Sequence, residues 1–204
     1  KTKCWSTALD SYDILSETYI FYYYIKVFNP LVIKFLIIDF NNKKYYNSKL
    51  QVQSDSRERQ PLVYVNVDGG PGDMKNTSPA EVEEIMRYAG ENPDKSIAVI
   101  TPFVNQRILI ERGIKENGFE HVVCGTVHAF QGDEKDVVLF STALSDRTGK
   151  GTYDWLKNNK ELINVATSRA KDKLILLADG KELERLHQGN EDDDLYELVQ
   201  YVKM

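Results

Sequence analysis

Cysteine is nearly absent: the chain has two, Cys4 and Cys124, far apart and in no metal-ligand spacing. That argues against a disulfide framework and a cysteine-held zinc site, and it fits a reducing, intracellular setting, cytoplasmic or, in a eukaryote, nuclear. Positive charge is also scarce, with 26 Lys and Arg against 31 Asp and Glu, a net charge of −5 and a pI near 5.3. A protein held to nucleic acid by a diffuse basic surface has the opposite balance, so any such contact here must be local and shaped. There is no basic n-region followed by a small-residue cleavage site, hence no sign of a secretion signal, and Lys1 in place of an initiating Met makes the sequence read as an excerpt. The longest apolar run, Tyr19 to Phe40, is interrupted by Lys26, Asn29-Pro30 and Lys34. Each Lys at the centre of a bilayer costs about 2.5–3.5 kcal/mol, so neither a transmembrane helix nor a membrane partner is expected. Repeats and low-complexity tracts are missing too, apart from the tyrosines at 22 to 24.

What is present is the composition of one principal globular domain: 204 residues, 42% hydrophobic and 28% charged. From Leu62 onward, short β-branched and apolar runs alternate with segments of helical period, the pattern of parallel strands joined by crossover helices. Strands are predicted at 62–67, 96–102, 121–127, 136–142 and 173–179, most of them continuously apolar as strands covered on both faces should be. Ser78-Pro79-Ala80-Glu81 offers a hydroxyl cap, a Pro at the first helical position and an acid in the first turn, and so opens a helix to about Asn92. Phe103 to Asn117 reads as a helix closed by Gly118, and one further helix is predicted from about Tyr153 to Lys171. The acidic terminus, 188–204, reads as a separate helix with its acids at the positive end. Two loops rich in glycine, 68–76 and 145–152, separate these elements.

Three segments carry polar chemistry. "GTVHAFQGDEKDVVLFS", Gly125 to Ser141, places Thr126, His128, Gln131 and Glu134 in a turn after a strand, with Gly132 permitting close backbone approach. Ligands of open α/β sheets bind beyond the carboxyl ends of strands, although an ordinary polar connection has the same composition. "ELINVATSRAKDKLILLAD", Glu161 to Asp179, sets Arg169 late in a helix that feeds a buried strand. From there it can reach a phosphate of a neighbouring domain, or simply serve as a cation at the negative helix end. "AVITPFVNQR" ends a strand at Thr101-Pro102 and puts Asn105 and Gln106 in the first turn of a helix, either a phosphate site or a routine turn.

In this order and spacing the three segments resemble motifs IV, V and VI of superfamily 1 helicases. "TVHAFQGDEKD" followed by "NVATSRAKDKLIL" is similar to the 5′-to-3′ subgroup that includes the nonsense-mediated-decay helicase, and "NNKKYYNSKLQV" at 41–52 resembles that subgroup's lead-in. The resemblance covers about residues 40 to 180. It implies an α/β fold of three-layer RecA-like type with a mainly parallel sheet, serving as the second motor domain. It also implies ATP and Mg2+ as cofactors, both held mainly by a first RecA-like domain, and single-stranded DNA or RNA as partner. Carried over position by position, Arg169 is the arginine finger, while Gln131, Gly132 and Glu134 belong to the nucleotide site. Thr101, Pro102, Asn105, Gln106, Thr126 and His128 then contact the strand.

The sequence departs from that family in two ways. No G-x-x-x-x-G-K-[ST] phosphate loop occurs, the nearest decoy being "TGKGT" at 148–152, and no Asp-Glu magnesium pair ends a strand. The chain alone is therefore expected to be inactive as an ATPase. No Arg precedes Arg57, so the Arg-bearing segment that the subgroup carries ahead of this domain is missing, and residues 1–38 read as an atypical, truncated or out-of-frame remnant before a domain at 39–187. Two other readings stay open: a nucleic-acid-binding or interaction module that lost catalysis, and a metal-dependent nuclease using Asp133, Glu134 and Asp136.

Overall fold

The computed structural model describes residues 35–49, 60–70, 74–126 and 134–203. Among these residues seven helices and five strands follow one another in the order α1 (Phe35–Tyr45), β1 (Leu62–Asn66), α2 (Pro79–Glu91), β2 (Ile97–Ile100), α3 (Val104–Asn117), β3 (Val122–Gly125), β4 (Lys135–Ser141), α4 (Lys150–Lys157), α5 (Lys160–Ser168), β5 (Ala170–Ala178), α6 (Gly180–His187) and α7 (Asp194–Lys203). The strands form one sheet in the order β1-β5-β4-β2-β3, with every pairing parallel. All five strands expected from the apolar runs are present within a few residues of their expected bounds.

Period-two alternation assigns each central strand to two cores. Ala98, Ile100, Val138 and Phe140 face one cluster with Ile37, Tyr153, Leu162, Leu183 and Leu198, contributed by α1, α4, α5, α6 and α7. Ile97, Val99, Val137 and Leu139 face the other, under Ile85 and Ala89 of α2 and Ile110 of α3. The result is a sheet between two helical layers, the three-layer α/β arrangement expected.

Local chemistry explains the helix ends. Ser78 Oγ accepts from the Glu81 amide at 3.3 Å and Pro79 occupies the first turn of α2, as the sequence indicated. Gly118, at φ 68°, closes α3 in the left-handed conformation. Between α2 and α3, Gly113 allows the close approach of Met86, whose Sδ would lie 2.9 Å from an added Cβ.

The single helix expected from Tyr153 to Lys171 is two. It breaks at Asn158 and Asn159, where the Asn159 side chain accepts from the Leu162 amide at 3.0 Å and starts α5. An Asn at this position competes with the helix for backbone hydrogen bonds, and here it wins as an N-cap. The second half also ends earlier, because Ala170 to Ala178 are already strand.

The terminal helix is no appendage. Leu195, Leu198, Val199 and Val202 of α7 join the first core, and the buried Asp193 ahead of it accepts from Tyr153 Oη at 2.6 Å and from the Tyr196 amide at 2.9 Å. α1, Phe35–Tyr45, packs on the same core. Asn41 of α1 donates to Asn164 at 2.8 Å and to Thr167 on α5, while Tyr201 of α7 donates to Asp39 at 3.0 Å. No helix among the described residues is long and apolar enough to cross a membrane.

Candidate functional site

Because all five strands run parallel, each gives its last residue to one edge of the sheet and its first to the opposite edge. At the carboxyl edge β2 and β3 end side by side: the Thr101 amide donates to the Gly125 carbonyl at 3.2 Å, which sets Thr101 beside Thr126. Pro102 and Phe103 then lead into α3, with Asn105 exposed in its first turn and its amide group donating to the Lys75 carbonyl at 3.0 Å. At the amino edge, β4 opens with Lys135, whose backbone N–H donates to the Arg169 carbonyl at 3.1 Å, and Lys135 is in register with Ala170.

Thr126 and Arg169 stand at opposite edges of the sheet, Thr126 after the end of β3 and Arg169 ahead of the start of β5. A chain leaving the carboxyl end of β3 must travel to the amino end of the sheet before it can enter β4 in parallel. Thr126 therefore stays with Thr101 at one edge, and Glu134 arrives next to Arg169 at the other. His128, Gln131, Gly132 and Asp133 lie outside the described residues.

Arg169 is the C-cap of α5, with φ −93° and ψ −11°, so its charge does sit at the negative end of a helix as the bland reading held. It is 7% exposed. A phosphate can reach that guanidinium only if the amino edge opens or is remodelled by a second domain. The guanidinium is the group here that suits a phosphate oxygen, while Glu134, held just ahead of β4 by the Lys135–Arg169 backbone bond, can only accept hydrogen bonds. Among the described residues no cluster of three acids, histidines or cysteines could hold a metal ion.

Two expected strand-binding groups are withdrawn from solvent. Gln106 is fully buried: its Oε1 accepts from the Ser78 amide at 2.8 Å, and its Nε2 donates to the Ser78 carbonyl at 3.2 Å and to Ser141 Oγ at 3.0 Å. Its amide clamps the start of α2 and the end of β4, which corrects its assignment as a nucleic-acid contact. Thr101 is also fully buried, its hydroxyl without a hydrogen-bond partner among the described residues. Its side chain is thus no surface contact, although its backbone helps shape the edge. Pro102, Asn105 and Thr126 keep solvent access.

The same network holds a group that sequence reasoning took for an ordinary helix-dipole acid. Glu81 is fully buried at the carboxyl edge, accepting from Ser141 Oγ, from Thr142 Oγ1 at 3.2 Å, and from the Ala143 amide at 3.0 Å on both oxygens. Burial raises its pKa to about 8 despite these donors. The legible signal was the hydroxyl-rich run from Ser141 to Ser145 directly after an apolar strand. Asp136, a ligand in the nuclease reading, is already engaged: it accepts from the Ser96 amide at 2.9 Å and from Ser96 Oγ at 2.7 Å. Partial burial opposes the ionised form, but the Ser96 donors and nearby Lys171 and Lys95 outweigh it and lower its pKa.

Comparison with known proteins now decides the family. The family profile for an AAA domain matches residues 34–181, more than half of the chain. The chain belongs to this AAA-domain family. Its similar sequences bear out the superfamily 1 helicase resemblance. RNA helicase Mov10l1 of Mus musculus is 28% identical over 78% of this chain, and the regulator of nonsense transcripts 1 homolog of Drosophila melanogaster is 31% identical over 59%. The chain spans only 16% and 11% of the lengths of those two relatives. Among solved structures, the C-terminal domain of a possible DNA helicase from Lactobacillus plantarum WCFS1 is 18% identical, with a TM-score of 0.48 over 77% of this chain and 94% of that one. That likeness is too loose to add to the sheet order above. The three-layer α/β class rests on the parallel sheet and its two helical layers.

Proposed function

We propose that this AAA domain is the second motor half of an ATP-dependent superfamily 1 helicase acting on single-stranded DNA or RNA. In this reading a first RecA-like domain supplies the phosphate loop and holds most of the ATP and Mg2+. Arg169 then approaches the γ-phosphate across the interface as an arginine finger and stabilises the charge that develops during transfer, with Glu134 near the ribose. By the resemblance, Gln131 and Gly132 also contribute to nucleotide binding. The strand lies at the other edge, against Pro102, Asn105 and Thr126, through sequence-independent contacts that weaken with salt, and the resemblance adds His128 to the strand contacts.

The observation that carries this reading is the division of polar groups between the two ends of one strand. β4 runs from Lys135, bonded to the Arg169 carbonyl, to Ser141, bonded into the Gln106 and Glu81 network under α2 and α3. Its seven residues span roughly 20–25 Å. A rigid strand of that length links a nucleotide edge to a nucleic-acid edge, so closure around ATP would displace the strand grip.

The isolated chain, lacking a phosphate loop, should not hydrolyse ATP. The test is to join it to a first motor domain from a superfamily 1 helicase and measure ATP turnover with and without single-stranded nucleic acid. Strand-stimulated turnover is expected, and Arg169→Ala should lower it by about 10³-fold or more with nucleic-acid affinity retained. Turnover that ignores Arg169→Ala, or a joined protein with no strand stimulation, defeats the assignment and favours the alternative of a binding or interaction module without catalysis.

A further inference from the structure

Aromatic surface at the carboxyl edge is not accounted for by the grips described so far. Trp155 on α4 is 53% exposed although indole is among the more costly side chains to leave in water. Its neighbours on the same face of the domain are informative. The ring packs against Phe103 with centroids 6.0 Å apart and planes at 46°. Phe103 is the N-cap of α3, 8% exposed, and follows Thr101 and Pro102 directly. The indole is thereby anchored beside the end of β2, whose Thr101 amide is bonded to the end of β3 ahead of Thr126.

The local helix sequence leaves the ring open. Side chains on a helix lean toward the preceding turn, so the residue four positions earlier would normally cover an indole at 155. That residue is Gly151, and a Cβ built there meets nothing within 4 Å. Leu156 and Tyr153 are buried on the opposite face and hold α4 in place, so the indole rests on a fixed support. An ordinary core-facing tryptophan would be covered, and a solvent-side helix position ordinarily carries a charged group.

We infer that Trp155 is a stacking platform for one nucleobase of the bound strand, set immediately beside the sugar-phosphate grips of the carboxyl edge. The inference rests on the strand-binding reading above and deepens it: the strand's backbone lies along Pro102, Asn105 and Thr126, and a base turns toward α4 to stack on the indole. Stacking of this kind is insensitive to base identity, because every base offers a π-face, which suits a motor that must move along any sequence.

The test uses the 204-residue chain and a Trp5→Phe background, which leaves Trp155 as the sole tryptophan of the two in the sequence. Oligothymidylate and a strand of equal length with abasic sites are titrated at low salt, with tryptophan emission and anisotropy of a labelled strand read in parallel. The expected result is quenching of Trp155 by oligothymidylate and weaker binding of the abasic strand. Trp155→Ala should lower affinity for oligothymidylate by about fivefold or more, with little effect on the abasic strand, and Trp155→Phe should recover part of the loss. Circular dichroism of each variant separates a folding defect from a lost contact. If the parent binds both strands equally and Trp155→Ala changes neither, the stacking inference is overturned while the strand-binding reading stands. If neither strand binds, both fall. Equal losses for both strands assign Trp155 to shaping the edge through Phe103 and likewise overturn the inference.

Discussion

Glu81→Gln probes the buried network that joins α2 to the end of β4. The wild-type carboxyl group is fully buried and receives four hydrogen bonds from three residues, yet its pKa rises from 4.5 to about 8 because burial outweighs those donors. Its folded pKa lies above its unfolded one, so between pH 4.5 and about 8 the folded chain holds a proton that the unfolded chain releases. Stability from this group is therefore fully present below pH 4.5, declines as pH rises, and is exhausted once pH passes about 8. At roughly 1.4 kcal/mol per unit, the full swing is on the order of 5 kcal/mol, a sizeable part of a domain's 5–15 kcal/mol. The carboxamide that Glu81→Gln introduces cannot ionise, so the variant should lose this decline. Urea unfolding of both proteins at half-unit steps from pH 5 to 9 measures it, and subtracting one series from the other cancels the remaining titrating groups. The difference should tilt steadily against the wild type as pH rises and level off above about pH 8. A flat difference, or a wild type that gains on Glu81→Gln with rising pH, would mean that the donors hold the carboxylate ionised and that the burial argument is wrong.

Tyr153→Phe removes the hydroxyl that donates to buried Asp193 at 2.6 Å, leaving that carboxylate with fewer donors. A loss of about 1–3 kcal/mol in urea unfolding is expected, and an unchanged midpoint would show that α7 does not depend on this bond. Asp136→Asn should flatten the acid limb of stability: the folded pKa of Asp136 is depressed, so its contribution is present above the ordinary carboxylate range and is lost as pH falls through the folded value. Denaturation midpoints between pH 2 and 5 measure it, with a parallel shift of wild type and variant as the refuting result. Ile85→Ala, deep in the second core, should cost about 2–5 kcal/mol through the lost transfer energy and the cavity, and a loss below 1 kcal/mol would mean that α2 collapses onto the gap.

Strand positions were legible because each run of β-branched and apolar residues is bounded by polar turns, and burial on both faces leaves no alternation to misread. The start of α2 and the end of α3 were legible for a local reason as well: Ser78-Pro79 and Gly118 act on backbone groups within one turn of themselves. The break at Asn159 was available in principle, since Asn is a strong cap. An apolar period running through Tyr153, Leu156, Ile163 and Ala166 concealed it, because two helices packed against the same sheet face bury residues at nearly the spacing of one. Candidate site residues divide along the same line. Asn105 and Gln106 are adjacent and chemically alike, yet one is exposed and the other fully buried, since successive helix positions turn by about 100° and only packing against Ser78 and Ser141 decides which is covered.

From its order of residues alone, then, this protein carried its alternating architecture, its family and the chemical types at its edges, all encoded in periods and spacings that act over a few residues. Tertiary structure decided the strand order β1-β5-β4-β2-β3, the placement of Arg169 and Thr126 at opposite edges, the burial of Thr101, Gln106 and Glu81, and the recruitment of α1 and α7 into one core. Those outcomes depend on contacts between segments far apart in sequence, from Ser78 with Gln106 and Glu81 with Ser141 to Asn41 with Thr167 and Gly69 with Asp179. No local pattern encodes such pairings, because their free energy comes from surfaces that exist only once the sheet has formed.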